Sequence, residues 1–190
     1  MITIRIETEL GNILLELDDA HAPRTVQHFM EYVDSGYYSG AAFYRSARSA
    51  DNEAGRDIRI DVIEAGFCNE YYGRALRGEL ANDLFDDQLT HVGTRPQITV
   101  ELTSETGLSH VDGAISLGRG APDSVDDAFF ICVGDQPELD AGGGRHPNGL
   151  GFPAFGRVVC GLEVVGAIHA RPTSGQKLVD EVKIIRITRV

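Results

Sequence analysis

From residue 2 to residue 7 the chain reads Ile-Thr-Ile-Arg-Ile-Glu, apolar and polar in strict turn, so that Ile2, Ile4 and Ile6 share one face and Thr3, Arg5 and Glu7 the other. A period of two is the mark of a strand with one face buried. Glu9-Leu10-Gly11-Asn12 comes next as a turn signal, and residues 12–18 return as the second arm of a hairpin. Strand-like runs recur at 58–66, 112–119, 128–135, 152–159 and 181–190. Many strands, few helices and a strand pattern at both ends predict a mostly β fold closed, or nearly closed, into an antiparallel barrel, which leaves no unpaired edge.

Two helices are predicted. In the first, Pro23 suits the opening turn, where a missing N–H costs nothing. Val26, Phe29, Met30 and Val33 then form an apolar stripe at i, i+3, i+4 and i+7, and Gly36 is placed to end the helix. The second, shorter helix lies within 161–170, with Leu162, Val165 and Ile168 expected to face inward. Residues 67–96 mix charges, glycine and scattered aromatics without a sustained period. They read as a long surface excursion, with a short helix around Leu80 to Leu89. Residues 1–190 are most economically a single domain.

Charge and composition narrow the function. A net charge of −12 argues against a nucleic-acid surface and an anionic membrane surface, both of which need clustered Lys and Arg. No secretory signal pattern is visible at the N-terminus, and no apolar run approaches the roughly 20 residues of a membrane helix. The three cysteines, Cys68, Cys132 and Cys160, form no CxxC pair. Cys132 and Cys160 fall in apolar strand-like runs and are expected as buried thiols, which makes a cytoplasmic address the default.

Several chemistries find no footing. The histidines at 21, 28, 91, 110, 146 and 169 lack ligand spacing, so no metal is expected. The glycine-rich run 141–151 has neither the pattern of a phosphate loop nor that of a dinucleotide fingerprint, and reads as a flexible turn between strands. The acidic pairs Asp86-Asp87 and Asp126-Asp127 read as solvated loop residues. No nucleophile elbow appears, and nothing activates a cysteine. One anomaly stands out: Ala41-Ala42-Phe43-Tyr44 looks like an apolar strand, and Arg45 continues it without a break.

Phe43-Tyr44-Arg45 and residues 22–38, 112–140 and 152–168, ordered motifs across most of the chain, together resemble the cyclophilin family of peptidyl-prolyl cis-trans isomerases. Phe43-Tyr44-Arg45 is similar to the family's Phe-His-Arg, and residues 112–140 resemble its Ser/Ala-Met-Ala … Gln-Phe-Phe-Ile block. Residues 152–168 resemble Val-Phe-Gly-Lys/Arg-Val and then Gly-Met-x-Val-Val, and residues 22–38 match the family's opening. The resemblance implies a closed eight-stranded antiparallel barrel capped by two α-helices, with an outer groove for an extended peptide. It also implies an isomerase of X-Pro bonds in peptides or unfolded chains that uses no cofactor and acts as a monomer.

Residue by residue, Arg45 falls on the family's catalytic arginine, and Phe130 on the phenylalanine that floors the proline pocket. Gly118, Arg119 and Gly120 lie on the segment whose backbone pairs with substrate, with the Arg119 side chain read as a surface group. Leu139 falls on the leucine beside the pocket, and Phe43, just before the active arginine, is expected among the substrate-binding residues. The departures are equally specific. Val62 stands for a methionine, Glu64 for a glutamine, Ala128 for the glutamine before the paired phenylalanines, Asp61 for an aromatic and Glu138 for a tryptophan. Phe152 is nearest to the pocket histidine's place, and His146 reaches the pocket only if its loop folds over. Glu64 would either hold Arg45 in orientation by accepting a hydrogen bond or neutralise it. The second reading these departures leave open is a cyclophilin-like module that binds proline segments with little turnover.

Overall fold

β1 (Ile2–Thr8) and β2 (Gly11–Leu17) pair antiparallel from Ile2 opposite Leu17 to Thr8 opposite Gly11. Opposed side chains share a face, and Ile4, Ile6, Ile13, Leu15 and Leu17 are accordingly all fully buried. The computed structural model describes residues 1–50, 58–67, 96–122, 124–125 and 127–190. The excursion expected at 67–96 and its short helix fall, apart from the two end residues, outside the described residues, as do Cys68, the Asp86-Asp87 pair and Asp126.

Seven further strands are β3 (Ala42–Ala47), β4 (Val62–Gly66), β5 (Ala114–Leu117), β6 (Phe129–Cys132), β7 (Ala154–Cys160), β8 (Thr173–Ser174) and β9 (Lys177–Arg189). Their order is β1-β2-β7-β5-β6-β4-β3-β9, and β9 pairs back onto β1, so eight antiparallel strands close a barrel. β8 is a two-residue arm paired only with the start of β9. Closure depends on the length of β9. Its first half serves β3, with Val182 opposite Phe43, and its second half serves β1, with Ile187 opposite Ile6.

The barrel interior is filled. Phe29, Tyr38, Phe43, Phe129 and Phe155 meet ring to ring at 5.2–5.9 Å, among the isoleucines, leucines and valines of the strands. Two helices complete this core. α1 (Pro23–Asp34) buries the expected stripe of Val26, Phe29, Met30 and Val33. Its N-cap residue, Ala22, offers no side-chain cap. The buried Glu101 supplies one from afar, accepting the Thr25 N–H and Oγ1–H at 2.7 Å each and the Arg24 N–H at 3.3 Å. A carboxylate at this end satisfies donors the helix itself cannot use and complements its dipole. A single turn, α2 (Thr103–Thr106), comes just after Glu101, and α3 (Leu162–His169) buries Val164, Val165 and Ile168.

Three local expectations are corrected. Leu162 lies at the first turn of α3 and is exposed, with Val164 facing inward in addition to Val165 and Ile168. Cys160 sits at the end of β7 and is exposed, whereas Cys132 is buried. Asp127 is buried, not solvated: its carboxylate accepts the Tyr37 hydroxyl at 2.9 Å and its carbonyl the Tyr38 hydroxyl at 2.7 Å. An acidic residue in a loop pattern is buried when tyrosine hydroxyls from another element satisfy it.

Candidate active site

The anomaly at Arg45 resolves in the pairing of β3 with β4. Phe43 stands opposite Ala65, yet Arg45 stands opposite Glu64, so two steps on β3 match one on β4. Tyr44 is the extra residue of a β-bulge, which bends the strand and re-aims the side chains beyond it. Phe43 therefore faces the barrel interior, packed on Phe129 at 5.9 Å. Arg45, two residues later, emerges on the outer face. Phe43 is thus a core residue and not the substrate-binding residue expected, because the bulge separates its direction from that of Arg45.

Outward-facing side chains now line up across the sheet. Arg45 is opposite Glu64, Glu64 opposite Phe130, Phe130 opposite Ser116, and Ser116 opposite Ala154. This is one rung running over five strands. Around Phe130 an apolar cluster forms outside the barrel from Ala47, Ile60, Val62, Ala114, Cys132, Leu139 and Phe152. Phe152 meets the Phe130 ring edge-on at 5.6 Å, and His110 stacks flat on it at 5.8 Å. His110 is oriented by Asp140, whose Oδ1 lies 2.7 Å from the imidazole Nδ1.

At the other end of the rung the guanidinium is held firmly. Arg45 Nη1 donates to Glu64 Oε2 at 2.5 Å, and Arg45 Nε donates to Gln176 Oε1 at 2.7 Å. The second Glu64 oxygen accepts the Tyr44 hydroxyl at 2.7 Å. Arg45 and Glu64 are 8% and 4% exposed, so this ion pair is largely withdrawn from water. Such a pair fixes geometry more than it adds stability, because desolvation offsets most of the attraction.

The glycine-rich run is not a free turn. His146 Nε2 lies 2.8 Å from the Gly120 carbonyl, the Arg145 guanidinium donates to the Ile58 carbonyl, and the Gly142 N–H to the Gly149 carbonyl. His146 thus does fold over, its ring 5.7 Å from Phe152. Arg119 is the clasp. It is 4% exposed, not a surface group. Its donors reach the carbonyls of Gly151 and Gly120 and the Asn148 Oδ1 at 2.6–3.0 Å, and its guanidinium lies 5.5 Å from the centre of the Phe152 ring. Burial pulls its pKa down to about 10. The neighbouring glycines are engaged as well: the Gly118 N–H donates to the Ala128 carbonyl at 2.7 Å, and the Gly120 N–H to Ser124 Oγ at 2.8 Å. Among the described residues, no group of three or more His, Cys, Asp or Glu side chains is placed to hold a metal ion.

The chain matches known proteins along nearly its whole length. The family model described as cyclophilin type peptidyl-prolyl cis-trans isomerase/CLD matches residues 3–189. The chain belongs to the cyclophilin family. Among curated cyclophilins, a peptidyl-prolyl cis-trans isomerase of Streptomyces antibioticus is 29% identical over 178 residues, covering 93% of this chain and 89% of the relative. Peptidyl-prolyl cis-trans isomerase A of Dickeya dadantii is 31% identical over 166 residues, covering 87% and 70%. The crystal structure of a cyclophilin type isomerase from Cryptosporidium parvum superimposes with a TM-score of 0.70 at 19% identity, covering 100% of this chain and 97% of that one.

In this cyclophilin, Arg45, Val62, Glu64, Phe130, Leu139 and Phe152 are drawn to one outer face, with Arg119, Gly118, Gly120 and Ala128 along its border. Sequence reading passes over Tyr44, His110 and Gln176. Tyr44 sits beside a residue already singled out, and its hydroxyl is a usable cue. His110 and Gln176 carry no local signal, since each meets its partner far along the chain, Asp140 30 residues from His110 and Arg45 131 residues from Gln176.

Proposed function

We propose that this cyclophilin isomerises X-Pro bonds in peptides or unfolded chains, with Arg45 as the catalytic donor and Phe130 as the floor of the proline pocket. The observation that carries this is the shared rung: Arg45 and Phe130 project from the same outer face, one strand apart, with Glu64 between them. Partial double-bond character sets a rotation barrier of about 18–20 kcal/mol. Twisting the amide localises a lone pair on the proline nitrogen, and a donor that meets it only there favours the transition state over both ground states. A guanidinium suits the task because it stays charged and donates in a rigid plane. The apolar cluster of Val62, Leu139 and Phe152 around Phe130 would hold the ring while the peptide turns. No step needs a cofactor.

A second reading, a module that binds proline segments with little turnover, is favoured by one observation. The arginine is paired with a full carboxylate, Glu64, which draws its donor strength inward.

Exchange NMR on an Ala-Pro peptide tests both; the solved Cryptosporidium relative was studied in the presence of the dipeptide ala-pro. Acceleration by the wild type that falls on the order of a hundredfold in Arg45→Ala supports the donor role, since one aimed donor is worth about that much. Binding without acceleration by either protein leaves the module.

A further inference from the structure

Gln176 lies 131 residues from Arg45 in the chain and meets the strand around it twice. Its side-chain Oε1 accepts Arg45 Nε–H at 2.7 Å, and its main-chain carbonyl accepts the N–H of Ser46 at 2.9 Å. The residue is buried, at 8% exposure, in the tight turn where Ser174 of β8 pairs with Lys177 of β9. A turn tied to β3 by its own backbone presents its side chain at a fixed depth.

The geometry around the guanidinium gives this contact a purpose. β3 lies between β4 and β9 in the barrel. Glu64 holds Nη1 from the β4 side, and Gln176 holds Nε from the β9 side. Contacts on two different nitrogens hold the plane and the direction of its donors more tightly than one of them would. A neutral amide does this without bringing a second negative charge to a cation already paired with Glu64.

We infer that Gln176 is a positioning residue for the isomerisation, holding the plane of Arg45 so that its donors meet the proline nitrogen of the twisted amide. This rests on Arg45 being the donor. Gln176 acts through Arg45. Its effect therefore falls on kcat, not on KM.

The test compares the wild type with Gln176→Leu, which removes the acceptor at similar size, and Gln176→Glu, which keeps it. Isomerisation of an Ala-Pro peptide is tracked by exchange NMR, and the Arg45 Nε–H resonance in nitrogen-15 spectra. The expected result for Gln176→Leu is a fall in kcat of about tenfold, the worth of one hydrogen bond to a charged group, with KM unchanged. The Arg45 Nε–H, slow to exchange in the wild type, becomes fast in Gln176→Leu, and protection returns in Gln176→Glu. Wild-type kcat in Gln176→Leu overturns the inference, as does a fall in kcat that leaves Nε–H protection untouched, or a loss of protection that Gln176→Glu does not restore. A scalar coupling between Arg45 Nε and Gln176 Cδ in the wild type tests the contact with no variant at all, and its absence counts against the inference. An inactive wild type removes the donor role of Arg45 first and this role with it, so the two failures are told apart.

Discussion

Glu64 stands directly opposite Arg45 on one neighbouring strand and directly opposite Phe130 on the other. One residue thus joins the charged and the apolar halves of the site. Its two oxygens are divided between the Arg45 guanidinium and the Tyr44 hydroxyl, so the bulge residue and the residue it re-aims are tied to the same carboxylate.

Removing that carboxylate is expected to be costly. Glu64→Leu leaves the Arg45 charge buried without its anion, and the loss should be about 3–5 kcal/mol. Glu64→Gln keeps an acceptor of the same shape and should lose much less. Urea unfolding of the two variants decides it: equal losses would mean that the site needs the carboxylate's charge and not merely an acceptor of its shape.

The loop over the pocket depends on Gly151. Gly151 and Gly142 both have positive φ, +68° and +89°. A Cβ at Gly142 meets nothing within 4 Å, whereas at Gly151 it would stand 2.5 Å from the Leu139 carbonyl oxygen and the Asp140 carbonyl carbon. Gly142→Ala should lose about 1–2 kcal/mol from the left-handed backbone alone. Gly151→Ala should lose more. It should also raise KM, because the Phe152 N–H is held by that same Leu139 carbonyl. Thermal melts and peptide titrations of both variants check the contrast.

Thiol labelling should separate the cysteines. Burial, with smaller contributions from Asp140, Asp112 and Asp135, pushes the Cys132 thiol far above its ordinary pKa. Cys160 is exposed. With Cys68→Ser in the background, a maleimide should add one equivalent quickly to the native protein and a second only on unfolding. Two rapid equivalents would contradict the burial of Cys132.

The pair between Asp34, the last residue of α1, and Arg189, the last residue of β9, should show as a pH effect. The hydrogen bond from Arg189 holds the Asp34 pKa below its ordinary value. A carboxylate with a depressed folded-state pKa contributes stability above its unfolded value, near about 4. That contribution is lost as pH falls through the folded value. The side chains of Asp34 and Arg189 are 50% and 52% exposed, so the contribution should be only a few tenths of a kcal/mol, roughly what exposed pairs supply. Asp34→Asn should therefore melt slightly lower than the wild type at pH 7 and alike at pH 2. A gap that persists at pH 2 would point to packing instead.

The sequence by itself determined the elements and the family. Alternation at Ile2, Ile4 and Ile6, the stripe from Val26 to Val33 and the ordered motifs around Arg45 and Phe130 are local, and a strand or helix period is a property of neighbouring residues. The barrel and its two main helices were legible on that basis, and the family resemblance singled out Arg45 and Phe130. The tertiary structure alone decided which way Arg45 points and what holds it. The bulge at Tyr44 shows only in the register of β3 with β4 and β9, and it turns Phe43 inward and Arg45 outward. Arg119 is buried because the loop at 142–151 closes over it, and Gln176 finds Arg45 only once the barrel shuts. Buried polar groups must find partners wherever closure places them. Gly151 stands 32 residues from Arg119 and Gln176 stands 131 from Arg45, distances across which no local pattern can announce a partner.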